Sequence, residues 1–463
     1  MVSKLIKNGI IVTELGNFKG DILIKDEKIV AIGNELNSVG ATVIDASECY
    51  IVPGGIDVHT HFDLQAGTHR AIDDYYTGSI AAACGGTTTI IDHIAFGPKG
   101  CSLNHQIDEY HKLAKDKSVI DYSFHGVIQH VNDNIIKEME ELFNQGITSM
   151  KIYMTYDDKL DDSGIYQVLK KAKELGMIIA VHAENDGVIN HLREKYSEQG
   201  LLTPKYHEKS RPQECEAEAI SRISYIASIL EDAPLYIVHL SSKSGLGECI
   251  KVDDRNQKNF FVETCPQYLL LTNEKYNDEI EGLKYTMSPP LRGEKDCEAL
   301  WEGINNGVID VVATDHCPFN FKTKVKFGKN SFTTCPMGFP GVEERMILMF
   351  SDGVMKNKIS IDKFVEVMST KPAKIYGLYP QKGTILPNSD ADIVIINPNK
   401  KWKISVSNMH SRVDYCGYEG KEINGEIELV MQRGEVLYYN GTFIGKKGKG
   451  KFIKRHKSNL IEE

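Results

Sequence analysis

From residue 51 onward, short β-branched runs alternate with helical patterns, and this alternation constrains the fold more than any other feature. The strand candidates are "IVPGGIDVHTHF", "TTTIIDHIAF", "YSFHGVIQH", "SMKIYMTY", "MIIAVHAEN", "PLYIVHLSS", "NFFVETCPQ" and "GVIDVVATDHC". Between them lie "AIDDYYTGSIAAACG", "NDNIIKEMEELFNQG" and "ECEAEAISRISYIASIL", which read as helices. Helical stretches that end in glycine and hand over to an apolar strand mark repeated β-α units. Eight such units predict an α/β fold, a closed (β/α)8 barrel of TIM type. An open doubly wound sheet is the alternative, but no glycine-rich phosphate fingerprint follows the first strand.

The two ends read differently. "KLIKNGIIV", "GDILIKDEKIVAIG" and "ATVIDASECYIV" are short strands separated by turns, and "DADIVIINPNKKWKIS" and "EIELVMQRGEVLYYNGTFIG" repeat that style past residue 383. The expected division is therefore a small β-sandwich domain built from residues 1–52 plus 383–463, and a barrel over 53–382. A chain of 463 residues suits a large barrel with an appended module. The net charge of −10 argues against a nucleic-acid partner, whose binding surface would be basic. The basic tail "GKKGKGKFIKRHK" is expected to be solvated.

No run of about 18 apolar residues occurs, so no membrane span is expected. The start lacks the apolar core and cleavage site of a signal peptide. Ten cysteines are scattered without a Cys-x-x-Cys pair, which predicts reduced thiols in a cytoplasmic protein. Cys317, beside Asp315 and His316, is read as a packed thiol rather than a soft metal ligand.

In a parallel barrel, functional side chains project from the C-terminal ends of the strands. His59 and His61 in "GGIDVHTHFDL" end the first predicted strand, Lys151 lies in the fourth, His182 ends the fifth, His239 the sixth and Asp315 the eighth. Scattered histidines would not fall on this register so often. Neutral imidazole and carboxylate suit zinc, manganese, iron or cobalt, and a catalytic ion keeps a position open for water. Four histidines and one aspartate exceed the needs of one such ion, which points to two. Two ions need a bridging anion, whereas an unmodified Lys151 ammonium would be repelled and costly to bury.

The order "DVHTH", "KIY", "VHAEN", "VHLSS" and "ATDHC" resembles the binuclear-metal amidohydrolases, and within them the hydantoinase/dihydropyrimidinase family. Within that family it resembles the bacterial D-phenylhydantoinases in particular, through "AAACGGTTTIIDH", "DYSFHGVIQH", "ETCPQYLLL" and "SPPLR". The resemblance covers nearly the whole chain. It implies two divalent ions per subunit, zinc in type, with His59, His61 and Asp315 on one ion and His182 and His239 on the other. It further implies that Lys151 is carboxylated by carbon dioxide and bridges both, which turns a repelled cation into an attractive carboxylate.

The implied reaction is hydrolytic opening of 5-substituted hydantoins to N-carbamoyl amino acids by a metal-bridged hydroxide. Asp315 would take the water's proton and pass it to the leaving nitrogen. Tyr156 would stabilise the developing oxyanion. Ser288 in "MSPPLR" would bind the ring's amide edge, mainly through backbone groups. Met337 in "CPMGFPG" departs from the asparagine that related enzymes often carry, and serves equally well if the contact is a main-chain one. Phe62, Leu64, Tyr153 and Leu160 are expected to line an apolar pocket that favours an aryl substituent. The resemblance also implies a homotetramer.

Dihydropyrimidinase activity on dihydrouracil or dihydrothymine, and allantoinase activity, are the alternatives within the enzyme class. Dihydroorotases usually carry an arginine shortly after His-x-His, where this chain reads "HFDLQ". Outside it stands a metal-free assembly protein of the same fold, resembling the collapsin response mediator proteins. Those relatives lose the ligands, whereas every ligand position is filled here. Among the remaining histidines, His93 is expected to be a hydrogen-bonded core residue and His69 an exposed one, and His316 is a candidate to orient Asp315.

Overall fold

The computed structural model describes residues 3–37, 39–254 and 257–461. Eight parallel strands follow one another in chain order around a barrel: Gly55–Thr60, Thr87–His93, Asp121–Val127, Ser149–Tyr153, Ile178–His182, Leu235–Ile237, Phe260–Thr264 and Val311–Val312. The ring closes where Thr60 bridges His316 in parallel and the His61 amide donates to the His316 carbonyl at 2.9 Å. Near-continuous apolar runs form these strands because both faces are covered. Ile56, Val58, Ile91, Ala180, Tyr236, Val238 and Ala313 share one buried cluster inside this framework.

The covering helices start and stop where local chemistry dictates. Asn132 caps Asp133–Asn144 by accepting from the amides of Asn134 and Ile135. Gly176, at φ 69°, ends Asp162–Leu175 in the left-handed conformation that glycine takes readily.

The run "IVPGGIDVHTHF", read as one strand, is two. Tyr50–Pro53 belongs to a second sheet, and the chain turns at Gly54 into the first barrel strand. That second sheet has nine strands: Ser3–Thr13, Gly16–Lys25, Lys28–Gly33, Ala41–Asp45 and Tyr50–Pro53 from the N-terminal end, and Ile393–Lys403, Glu422–Gln432, Glu435–Tyr439 and Thr442–Phe443 from the C-terminal end. Ser3–Thr13 pairs with Ala41–Asp45 along one half of its edge and with Tyr50–Pro53 along the other. Tyr50–Pro53 then runs antiparallel to Ile393–Lys403, and this pairing joins the two ends of the chain. Ile6, Ile11, Ile22, Ile24, Ile51, Ile393, Leu429 and Met431 form its core.

A buried charge cluster fastens the sheet to the barrel. The Lys382 ammonium lies 2.7 Å from Asp121 at the start of the third barrel strand, 2.9 Å from Asp390 and 2.8 Å from Asp392. The basic tail, expected in solvent, instead crosses the end of the barrel opposite the strand C-termini. The Tyr122 amide donates to the Lys451 carbonyl, and the Ile453 amide donates back to Tyr122. Arg455 is buried, its guanidinium donating to Ser123 Oγ at 2.9 Å and to the Phe124 carbonyl at 2.6 Å. Gly450 permits the approach, since a Cβ there would strike the Ile120 carbonyl. No helix among the described residues is long and apolar enough to cross a membrane.

Candidate active site

The barrel places His59, His61, Lys151, His182, His239 and Asp315 around one cavity of about 740 Å³ at the C-terminal ends of the strands. Tyr156, Ser288, Met337, Leu64 and Tyr153 line the same cavity. Two sequence-predicted residues do not. Phe62 is fully buried edge-on against Tyr75 and His316, and Leu160 packs in the main apolar core. The strand ends at Thr60 and the chain turns at Phe62 and Asp63, the latter at φ 55°, with the Phe62 ring on the core side of that turn.

His59 Nε2 and His61 Nε2 both face Asp315 Oδ1, at 3.2 and 3.1 Å. One donor atom from each of these three residues lies within 4.8 Å of the others, a spacing that could hold a metal ion. His182 donates from Nε2 to Glu184 at 2.7 Å, which leaves its Nδ1 facing His239 Nε2 at 3.0 Å. His239 Nδ1 is buried without a partner in the described structure. Two imidazole nitrogens turned toward one another, His182 Nδ1 and His239 Nε2, are the donor arrangement that a second cation would satisfy.

Electrostatics in this pocket follow burial first and neighbours second. Burial pulls the Lys151 ammonium down to about 8, against the opposing pull of Glu263 and Asp315. His59 is lowered by burial, but Glu263 and Asp315 more than reverse this and hold it at about 9. Burial would raise Asp315, yet His59 and His61 keep its carboxyl well below the usual range. Burial raises the Tyr156 phenol, with Arg211 opposing, so it stays a hydrogen-bond donor at neutral pH. The Arg211 guanidinium lies 5.4 Å from the Tyr156 ring centre, and the Tyr156 amide donates to Asp186 Oδ1 at 3.1 Å.

Several residues that hold the site were not singled out in the sequence. Glu263 ends the seventh strand and accepts from His59 Nδ1 at 2.6 Å, the His239 amide at 2.9 Å and the Tyr236 hydroxyl at 2.9 Å. Glu184 orients His182 and pairs with Arg211. Their signal was present in "FFVETC" and "VHAEN", as carboxylates on the strand-end register already used for the histidines. His93 is not hydrogen-bonded as expected: neither ring nitrogen has a partner among the described residues, and the ring stacks 4.0 Å from His125 and lies tilted 4.2 Å from His59. His316, the candidate to orient Asp315, bonds elsewhere: Nδ1 accepts from the Gly341 and Val342 amides and Nε2 faces Asp73 at 3.2 Å. His69 lies edge-on to Phe327 at 4.5 Å and borders the cavity, and Cys317 is a buried thiol in its wall.

Comparison with known proteins places this geometry. Residues 50–437 match the amidohydrolase family. The chain is 48% identical over 452 residues to D-phenylhydantoinase of Escherichia coli O1:K1 / APEC, covering 97% of this chain and 98% of that one. The crystal structure of dihydropyrimidinase from Brevibacillus agri NCHU1002 superposes with a TM-score of 0.97 at 41% identity, covering 99% of both chains. D-hydantoinase from Bacillus sp. AR9 superposes with a TM-score of 0.96 at 41% identity, covering 99% of this chain and 100% of that one. A barrel whose strand ends converge on donors that could hold a metal ion, with full-length similarity of this kind, makes the chain a member of the amidohydrolase family.

Proposed function

We propose that the protein opens the ring of 5-substituted hydantoins, aryl ones above all, to give N-carbamoyl amino acids. The observation that carries this reading is the single cavity in which six donor groups, a phenol donor and an apolar wall meet. His59, His61 and Asp315 would hold one divalent ion and His182 and His239 the other, with zinc the ion that suits the set. Lys151 would bridge them as its carbamate. Only an uncharged amine adds carbon dioxide, and an ammonium held at about 8 leaves roughly a tenth of Lys151 neutral at pH 7. When bound, the ions supply hydroxide near neutral pH and polarise the carbonyl.

The chain's own groups do the rest. Asp315, ionised and 14% exposed, accepts the attacking water's proton and returns it to the departing ring nitrogen. The Tyr156 phenol donates to the carbonyl oxygen as charge develops. Ser288 and the main chain at Met337 hold the amide edge of the ring. Leu64, Phe96, Tyr153 and Phe319 give the exocyclic group an apolar surface. The similarity to a D-phenylhydantoinase supports an aromatic group there.

Dihydropyrimidine opening is the second reading, favoured by the likeness to a dihydropyrimidinase. Rates on D- and L-5-phenylhydantoin, dihydrouracil and allantoin separate the two. The fastest opening is expected on D-5-phenylhydantoin, and a clear preference for dihydrouracil would overturn the aryl assignment. Ten free cysteines, nine of them buried, support a cytoplasmic setting, and the family likeness supports a homotetramer.

A further inference from the structure

We propose that a separate metal site lies between the barrel and the terminal sheet, built from Cys84, Glu343 and His410, and that it takes one borderline divalent cation of the zinc or cobalt class. A thiol sulfur, a carboxylate oxygen and an imidazole nitrogen, one from each residue, all lie within 4.8 Å of one another. Tetrahedral ligands at zinc bond lengths sit roughly 3.5 Å apart, so an ion would draw the more distant donors inward and push the Glu343–His410 pair, 2.6 Å apart, outward by about 1 Å. None of the three lines the catalytic cavity.

The ligands come from three elements that the fold brings together. Cys84 ends the helix Thr77–Cys84, Glu343 precedes the helix Arg345–Leu348, and His410 lies between the last two long strands of the terminal sheet. Gly85 makes the contact tight, since a Cβ there would strike the main chain of Glu343. Glu343 is preoriented: its Oε2 accepts from the amides of His410 at 2.6 Å and Ser411 at 3.3 Å. Its Oε1 faces His410 Nδ1 at 2.6 Å, where a proton occupies the place that a cation would take.

Cys84 and Glu343 are buried, while the His410 side chain, 27% exposed, stands at the mouth. A crevice of about 370 Å³, bordered by Trp402, Ser407, Asn408 and Tyr438, opens over the cluster. It provides an entry path and room for water as a fourth ligand. Thiolate, carboxylate and neutral imidazole balance the charge of a divalent ion, and the sulfur selects zinc or cobalt over magnesium or calcium. Occupancy would pin the terminal segment onto the barrel, since the neighbouring Ser411 hydroxyl already donates to Asp73 at 2.6 Å.

Cobalt tests this independently of ring opening, because the proposed catalytic ligands include no sulfur. The full-length protein loaded with Co²⁺ is expected to show a near-ultraviolet sulfur-to-cobalt charge-transfer band and to bind one more cobalt per subunit than Cys84→Ser. The band should vanish in Cys84→Ser and in His410→Ala, and persist in Cys317→Ser, whose thiol borders the catalytic cavity. Should Cys84→Ser fail to fold, His410→Ala decides, since loss of its band supports the site and retention overturns it. Absence of the band from the wild type, or its survival in Cys84→Ser, also overturns the proposal.

Discussion

At the mouth of the barrel, Tyr156, His239 and Asp315 adopt φ values of 77°, 41° and 54°. Non-glycine residues in this region cost about 1–3 kcal/mol each, and such positions concentrate where a side chain must be aimed. All three border the catalytic cavity. Replacing Tyr156 by Phe should therefore leave the fold intact and lower kcat about 10²–10³-fold, as steady-state assays on D-5-phenylhydantoin would show. Glu263→Gln removes the charge that holds His59 Nδ1 and should weaken metal binding about 10–100-fold, read by competition with a chelator. Because His59 is held at about 9, the metal-free protein at pH 7 carries a proton there that a cation must displace. Apparent metal affinity should accordingly rise about tenfold per pH unit between about pH 8 and pH 9 and then level, and more steeply below about pH 8, where Lys151 must also lose its proton, measured by calorimetric titration across that range. The histidines at this site were legible because they recur on one register of strand ends. Glu263 and Glu184 share that register and lie in "ETCPQYLLL" and "VHAEN", but a carboxylate there carries no mark of which histidine it will hold. Phe62 and Leu160 misled because an apolar residue beside a reactive one carries no mark of which way it points.

Among the elements, the joint between barrel and terminal sheet rests on one buried lysine and three aspartates. Attraction to Asp392, Asp121 and Asp390 overcomes the burial cost of the Lys382 ammonium and holds it well above its usual range. Lys382→Met would strip buried Asp392 of its cation and leave Asp121 only Arg433 at 3.2 Å and Asp390 only Lys28 at 2.6 Å, and should destabilise the protein by about 3–5 kcal/mol in denaturant unfolding. Nothing in local sequence pairs residue 121 with residue 392, so this link was not legible before the fold. The barrel strands and the two strand-rich ends were legible, since both follow from local periodicity. The tail was misread for a related reason: composition shows a run of positive charge, but not the glycine that lets it lie flat or the carbonyls that receive Arg455.

At the scale of the molecule, the two ends of the chain close into one sheet, and the barrel carries the chemistry at a single mouth. Similarity over 97% of the chain to a D-phenylhydantoinase and the amidohydrolase family match make the chain a cyclic amide hydrolase, and the proposed account makes its reaction metal-dependent. The most direct test is the rate at which the metallated protein opens D-5-phenylhydantoin before chelation, after chelation, and after zinc is returned together with bicarbonate. The account predicts rapid opening, loss on chelation and recovery on reconstitution. Opening that persists in the chelated, metal-free protein, or none by the fully metallated protein, would contradict it.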